Sequence, residues 1–150
     1  MVDATQTLRP GQIAPLLQVT DLHVRFGSKE VVKGVNFYIQ PGEKLALVGE
    51  SGSGKTVTAL ALLRLLHGAR VTGQALFNDG PQTRAPLALP ERELRGLRRD
   101  AIAMIFQASM SAVNPLMTVG EQIAEAVRQH EGLSRRAALD RAAEMLALVN

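Results

Sequence analysis

The residues from Gly49 to Thr56 have the types and the spacing that suit a phosphate chain. They read Gly-Glu-Ser-Gly-Ser-Gly-Lys-Thr and fit the pattern G-x-x-x-x-G-K-[ST] in full. Glycines at this density let successive backbone N–H groups turn inward and form an anion-binding nest. The pattern therefore predicts a cradle for the phosphates of a nucleoside triphosphate, and its binding residues are Gly49, Ser51, Gly52, Ser53 and Gly54.

Two side chains at the end of this pattern add charge and a metal ligand. Lys55 is predicted to place its ammonium on the β- and γ-phosphates, which is a catalytic as well as a binding role. The Thr56 hydroxyl is a hard oxygen of the kind that Mg²⁺ prefers. We therefore expect ATP and Mg²⁺ as cofactors. The alternative is a flexible glycine turn between a strand and a helix, with no ligand.

Three apolar segments are predicted to position these residues. Lys44–Val48 is apolar on both faces after its first residue, which is typical of a strand buried in a parallel sheet. Val57–Leu66 is apolar nearly all round, which predicts a buried helix that ends at His67 and Gly68. Ala101–Phe106 is predicted to be a second fully buried strand.

The other predicted elements complete an α/β fold. Alternation and β-branched content predict strands over Leu16–Phe26, Val31–Ile39 and Val71–Phe77, and charge and capping predict helices over Glu91–Arg99, from Thr118 to about Gln129, and from Ser134. Thr118 and Glu121 have the spacing of a capping box. In the last helix, one face is predicted to hold Leu139, Ala142, Leu146 and Val149.

Composition limits the class of protein. The chain has 150 residues, no cysteine and a net charge of +3, so a disulfide framework and a thiolate zinc site are excluded. No apolar run approaches the roughly 18 residues that span a bilayer, and Met1–Pro15 lacks the pattern of a secretory signal. Arg92, Arg95, Arg98 and Arg99 form a basic cluster without interleaved aromatic residues, which favours a solvated helix face over a nucleic-acid site.

Nearly the whole chain resembles the first half of an ABC transporter ATPase of the subfamily that drives oligopeptide and dipeptide import. Three stretches carry the resemblance: Gly42–Thr56, Ile102–Gln107 and Asn114–Ile123. The fold it implies is a P-loop NTPase core of ABC type, with N-terminal antiparallel strands and the start of a helical subdomain. We expect residues 1–15 to be a flexible tail, residues 16–117 a partial nucleotide-binding core, and residues 118–150 the incomplete beginning of that subdomain.

The resemblance implies two further site residues. Gln107 matches the family's Q-loop glutamine, whose side-chain carbonyl reaches Mg²⁺ or the attacking water, so it is expected to be a catalytic residue and a metal ligand. Phe26 matches the aromatic residue that stacks on adenine. The chain departs from the family pattern at Ala108-Ser109, where peptide importers carry an acid and a proline.

The resemblance also implies partners and a location. The loop after Gln107 is expected to meet membrane-spanning permease subunits, and a second ATPase subunit or domain is expected to close on the nucleotide. The implied place is the cytoplasmic face of the inner membrane, as a peripheral subunit. The family's later motifs do not occur: the sequence has no apolar strand ending in Asp-Glu and no Ser-Gly-Gly. No histidine stands where the family has its switch histidine, since His23 is predicted to be a strand surface residue, His67 a helix-end residue and His130 a helix surface residue.

Other functions stay open at this stage. One is a soluble ABC-type ATPase acting on nucleic acid or ribosomes, supported only by the arginine cluster. Another is a fragment that binds nucleotide without hydrolysing it, because the motifs that hold the general base are missing. A GTPase is disfavoured because the sequence has no Asn-Lys pair for a guanine reader. The complete protein is expected to be an ATP hydrolase, and this segment alone is expected to be inactive.

Overall fold

The computed structural model describes residues 14–106 and 113–149, which form two compact units that divide after Ala101. The first unit is built on an antiparallel sheet of four strands in the order β2-β1-β3-β4. The strands are β1 (Leu17–Phe26), β2 (Lys29–Ile39), β3 (Ala69–Asn78) and β4 (Thr83–Arg84). The three long strands confirm the sequence prediction to within two residues at each end, and β4 was not predicted.

The core of this unit lies on one face of the sheet. Val19, Leu22 and Val24 of β1 are at most 2% exposed. Ala61, in the helix that follows the glycine-rich loop, packs in the same cluster. Further members come from the neighbouring strands: Val32, Val35, Phe37 and Ala75. The fold class is therefore α/β, because a sheet and a helix share this core.

A β-bulge in β1 explains why its buried residues do not alternate regularly. Pairing slips between Val19 and Leu22, and Asp21 has a left-handed φ of 50°. Gly73 of β3 lies so close that an added Cβ would stand 2.3 Å from the Asp21 carbonyl oxygen. The bulge thus requires a glycine on the neighbouring strand. The bulge also turns Asp21 towards solvent.

The bulge also places His23, a partly exposed residue of β1, between two carboxylates. Its Nδ1 lies 2.9 Å from Glu30 Oε1, and its Nε2 lies 3.0 Å from Asp21 Oδ1. Both carboxylates accept, so both ring nitrogens must carry a proton for the two bonds to form together. The hydrogen bond that His23 donates to Glu30, and then the one it donates to Asp21, raise the pKa of His23 above its ordinary value of 6.5.

Two strand predictions are wrong for the described residues. Neither 44–48 nor 101–106 belongs to a strand, and Val48 and Ile105 are 79% and 97% exposed. A strand that is apolar on both faces needs a pairing strand on each side and cover on both faces. Every strand pair in the described chain is antiparallel and lies in the β1–β4 sheet, so these two segments lack that environment.

The helix after the glycine-rich loop is shorter than predicted. Helix α1 spans Lys55–Leu62 instead of 57–66, and it ends before His67 and Gly68. The chain reverses at Arg64, which has a left-handed φ of 51°. The prediction of an all-round buried helix is also wrong, because within α1 only Thr58 and Ala61 are buried.

Helix α2 spans Glu91–Asp100 and closes the first unit, as predicted to within one residue. Its Leu94 and Leu97 are fully buried. Acidic residues occupy its first turn and Arg98 and Arg99 its last turn, an arrangement that complements the helix dipole.

The second unit contains the helices α3 (Val119–Glu131) and α4 (Arg135–Ala147). The predicted capping box is confirmed, since the Thr118 hydroxyl accepts from the Glu121 N–H and the Glu121 carboxylate accepts from the Thr118 N–H. Ser134 caps α4, also as predicted. The predicted apolar face of α4 is only partly right: Ala142 is buried, whereas Leu146 and Val149 are exposed. The predicted subdomain boundary at 117–118 stays a prediction.

Candidate phosphate-binding site

The loop from Gly49 to Gly54 is shaped by two glycines in left-handed backbone conformations. Gly52 has a φ of 80° and Gly54 a φ of 94°. Gly54 also packs against β2, where an added Cβ would stand 3.0 Å from the Val31 carbonyl oxygen. A side chain at Gly54 would therefore meet both backbone strain and a fixed strand. The motif's last glycine is thus the point at which the loop is anchored to the sheet.

The N-terminus of α1 is open towards this loop. Gly54 is the N-cap residue, no side chain caps the helix, and its first turn holds no acidic residue. Backbone N–H groups at such an end point outward with the positive end of the helix dipole. Thr58 is turned inward, because its hydroxyl donates to the Gly54 carbonyl at 2.9 Å. The helix therefore presents backbone donors to an anion, as the motif predicts.

The Lys55 ammonium lies over the same loop. Its Nζ donates to the carbonyl oxygens of Gly49 and Glu50, each at 2.7 Å, and to the Ser53 hydroxyl at 3.2 Å. The charge is thereby held within the concavity that the glycines form. Its donor protons point at acceptor oxygens there, and phosphate oxygens offer the same kind of acceptor with a full negative charge.

The neighbouring positions add an exposed hydroxyl and a groove. Thr56, the second residue of α1, is exposed. A groove of about 510 Å³ runs between β2 and the loop, and Lys29, Val35, Gly52, Ser53 and Thr58 are among its lining residues. Backbone donors, an ammonium, an exposed hydroxyl and an adjoining groove are the features that a nucleoside triphosphate with Mg²⁺ requires, so the residues present fit this ligand.

Phe26 lies at the end of β1, on the same sheet that anchors the loop. It is 36% exposed and pairs with Lys29 of β2, two residues before the Val31 carbonyl that meets Gly54. An accessible aromatic ring near the phosphate loop suits base stacking, and its contact with adenine stays a prediction. Gln107, with Ala108 and Ser109, lies outside the described residues, so its role as a catalytic residue and metal ligand also stays a prediction.

The four arginines of α2 were expected to form a solvated helix face, but Arg98 does not belong to it. The Arg98 side chain is only 22% exposed and donates through Nε to the Leu63 carbonyl oxygen at 2.8 Å. Arg99 bonds to Asp100. Two of the four guanidinium groups thus have partners in this chain, which weakens the case for a basic nucleic-acid face. The spacing of Leu94, Leu97 and Arg98 could have shown that Arg98 shares the buried face of α2.

Comparisons with known proteins identify the family of the chain. Residues 32–150 match the ABC transporter family model. The chain is 45% identical to the oligopeptide transport ATP-binding protein OppD of Salmonella typhimurium, over 97% of this chain and 43% of that protein. It is 43% identical to the dipeptide transport ATP-binding protein DppD of Bacillus subtilis, over 89% and 41% respectively. The chain thus spans about two fifths of the length of these relatives.

The family assignment rests on coverage as well as on the motif. The matched region includes the glycine-rich loop, α1, the segment that leads to Gln107, and both helices of the second unit. None of the helices within residues 14–106 and 113–149 has the length and apolar character needed to cross a membrane. The chain belongs to the ABC transporter family, and the two relatives named above are ATP-binding proteins of oligopeptide and dipeptide transport.

Proposed function

We propose that the chain is part of the ATP-binding subunit of an ABC importer, in which binding and hydrolysis of Mg-ATP drive the uptake of peptides or a similar small solute. The observation that carries the proposal is the Lys55 ammonium, held at 2.7 Å from two carbonyl oxygens within the glycine loop at the open end of α1. The names of the relatives support the peptide class of substrate. Other small solutes remain alternatives to peptides.

Each residue of the loop has a defined task in this proposal. Backbone N–H groups of the loop and of the first turn of α1 would bind the phosphate oxygens. Lys55 would turn its donors from the loop carbonyls to the β- and γ-phosphates, and Phe26 would hold the adenine by stacking. Thr56 and Gln107 would hold Mg²⁺, which neutralises charge on the phosphate oxygens when it is bound.

Hydrolysis and coupling would need more than the loop. The 150 residues contain neither an apolar strand ending in Asp-Glu nor a Ser-Gly-Gly stretch, the motifs that complete the site in the family this chain resembles. We therefore expect this segment to bind nucleotide and to hydrolyse it slowly at most. In the complete protein, the loop after Gln107 would contact membrane-spanning permease subunits, and the protein would lie peripherally at the cytoplasmic face of the membrane.

Calorimetric titration of Mg-ATP into the chain tests the proposal. Lys55→Ala removes a charge-assisted contact to phosphate, so affinity should fall at least about tenfold. Lys44→Ala is the matched control, because it removes the same charge from an exposed position shortly before the loop, and affinity should stay within about twofold. Folded wild-type chain that does not bind Mg-ATP, or binding that Lys55→Ala leaves unchanged, would contradict the proposal.

A further inference from the structure

Helix α1 ends in a backbone capping motif that usually contains a glycine but here does not. The Arg64 N–H donates to the Ala61 carbonyl oxygen and the Leu65 N–H to the Leu60 carbonyl oxygen, both at 2.9 Å. These two bonds form a Schellman motif, whose left-handed residue is usually glycine. Here it is Arg64, with a φ of 51°, so the surrounding structure has to hold a strained residue in place.

Arg98 of α2 provides that hold. Its Nε donates to the Leu63 carbonyl oxygen at 2.8 Å and its Nη2 to the Arg64 carbonyl oxygen at 3.2 Å. Its Nη1 donates to Glu91 Oε1 at 2.8 Å, which fixes the plane of the guanidinium. A planar cation with several donors thus binds the carbonyls just past the end of α1, where the helix dipole is negative.

Arg64, just past the end of α1, makes a reciprocal contact with the chain before α2. The Arg64 guanidinium donates to the Leu89 carbonyl oxygen just before α2, and it also lies 3.9 Å from Glu91. Each of the two arginines therefore binds backbone at the end of the other helix. We call this set of contacts, made by Arg64, Glu91 and Arg98, the arginine clasp. Leu94 of the same helix is fully buried and is not one of the clasp residues.

We propose that Arg98 is a positioning residue for nucleotide binding. Helix α1 has eight residues and is about 12 Å long, with Lys55 at one end and the arginine clasp just beyond the other. A helix so short moves as a rigid body, so the clasp sets where Lys55 and the first-turn N–H groups stand. Gly54 fixes the front of the helix against β2, and Arg98 fixes its rear. The inference rests on the proposed nucleotide-binding function.

The inference is tested by measuring the affinity of the Arg98→Gln variant for Mg-ATP. The temperature is one at which every variant is folded. Loss of the clasp should weaken binding about three- to tenfold, because the helix can then take several positions. Arg95→Gln removes an arginine from the exposed side of the same helix and should stay within about twofold. Unchanged affinity in Arg98→Gln overturns the inference.

A second control separates positioning from general stability. Leu94→Ala leaves the clasp residues in place but creates a cavity under α2, so it should lower the melting temperature at least as much as Arg98→Gln. Its affinity should nevertheless stay within about twofold of the wild type. If Leu94→Ala weakens binding as much as Arg98→Gln does, Arg98 acts through stability alone and the inference is wrong.

The same titrations distinguish this inference from the proposed function. Binding that depends on Lys55 but not on Arg98 overturns only the positioning role. Folded wild-type chain that binds no Mg-ATP overturns both. Binding that depends on both residues, with Arg95→Gln and Leu94→Ala unchanged, supports both.

Discussion

The antiparallel sheet and the glycine-rich loop belong to one unit, yet different kinds of contact hold them in place. Val19, Leu22 and Val24 of β1 are buried between two paired strands, so apolar burial stabilises the sheet along its length. The loop from Gly49 to Gly54 is mostly exposed, and only its last two residues are partly or fully buried. It depends on discrete contacts: Gly54 against β2, the Lys55 ammonium against loop carbonyls, and the arginine clasp behind α1.

In this unit, the residues that stabilise the fold differ from the residues that are expected to bind a ligand. Groups that bind phosphate must face solvent and keep unpaired donors, so they contribute little apolar burial. The sheet supplies that burial and offers the loop a rigid backbone, the Val31 carbonyl, as an anchor. Substitutions in the sheet should therefore change unfolding, and substitutions in the loop should change binding.

The largest effect on stability is expected at Gly73 of β3. Gly73→Ala would place a Cβ 2.3 Å from the Asp21 carbonyl oxygen at a φ of 106°, so strain and overlap act together. We expect a loss of about 3–5 kcal/mol in the free energy of unfolding, measured by urea denaturation. Gly80→Ala is the matched control, because Gly80 has a similar φ of 100° but nothing within 4 Å of an added Cβ. Equal losses in the two variants would show that the contact at the bulge does not matter.

A smaller effect is expected at the capping box of α3, which stabilises a helix through local contacts alone. Thr118→Ala removes the acceptor of the Glu121 N–H and should lower the free energy of unfolding by about 1 kcal/mol. Thr118→Ser keeps the hydroxyl and should change stability by less than half as much. The measurement is thermal unfolding followed by circular dichroism at 222 nm. A serine variant as unstable as the alanine variant would exclude the cap as the cause.

The smallest effect should come from His23, whose cluster is partly exposed to solvent. Its pKa is raised by hydrogen bonds to Glu30 and Asp21, so its contribution to stability is fully present below pH 6.5 and is lost as pH rises through the raised pKa. The three groups line a second groove together with the charged side chains of Arg25 and Arg70, and solvent screens the whole cluster. The difference in melting temperature between the wild type and His23→Gln should therefore shrink as pH rises above 6.5.

A matched control makes the pH experiment specific. His130→Gln removes an exposed histidine from α3, outside this cluster. Its difference from the wild type should show no comparable decline over the same pH range. A His23→Gln difference that stays constant with pH would mean that the two carboxylate contacts do not depend on the charge of the imidazole.

Much of the local structure was predictable from the sequence because short-range chemistry decides it. The β-branched alternation of β1 and β3, the capping box at Thr118 and the cap at Ser134 all lie within a few residues of the groups they affect. The glycine-rich loop was recognisable from its spacing, and its binding of phosphate stays a prediction. Phe26 and Gln107 were assigned by resemblance, and their roles remain predictions.

Tertiary partners decided the features that the sequence left open or predicted wrongly. The segments 44–48 and 101–106 read as buried strands, but a strand forms only where another strand pairs with it, and pairing is not a local property. Helix α1 stops at Leu62 although its apolar pattern continues, and Arg98 from a distant part of the chain binds the carbonyls of Leu63 and Arg64 just beyond that end. The sequence by itself determined which residues are predicted to bind phosphate, and the tertiary structure decided how they are held, since that depends on contacts between residues far apart in the chain.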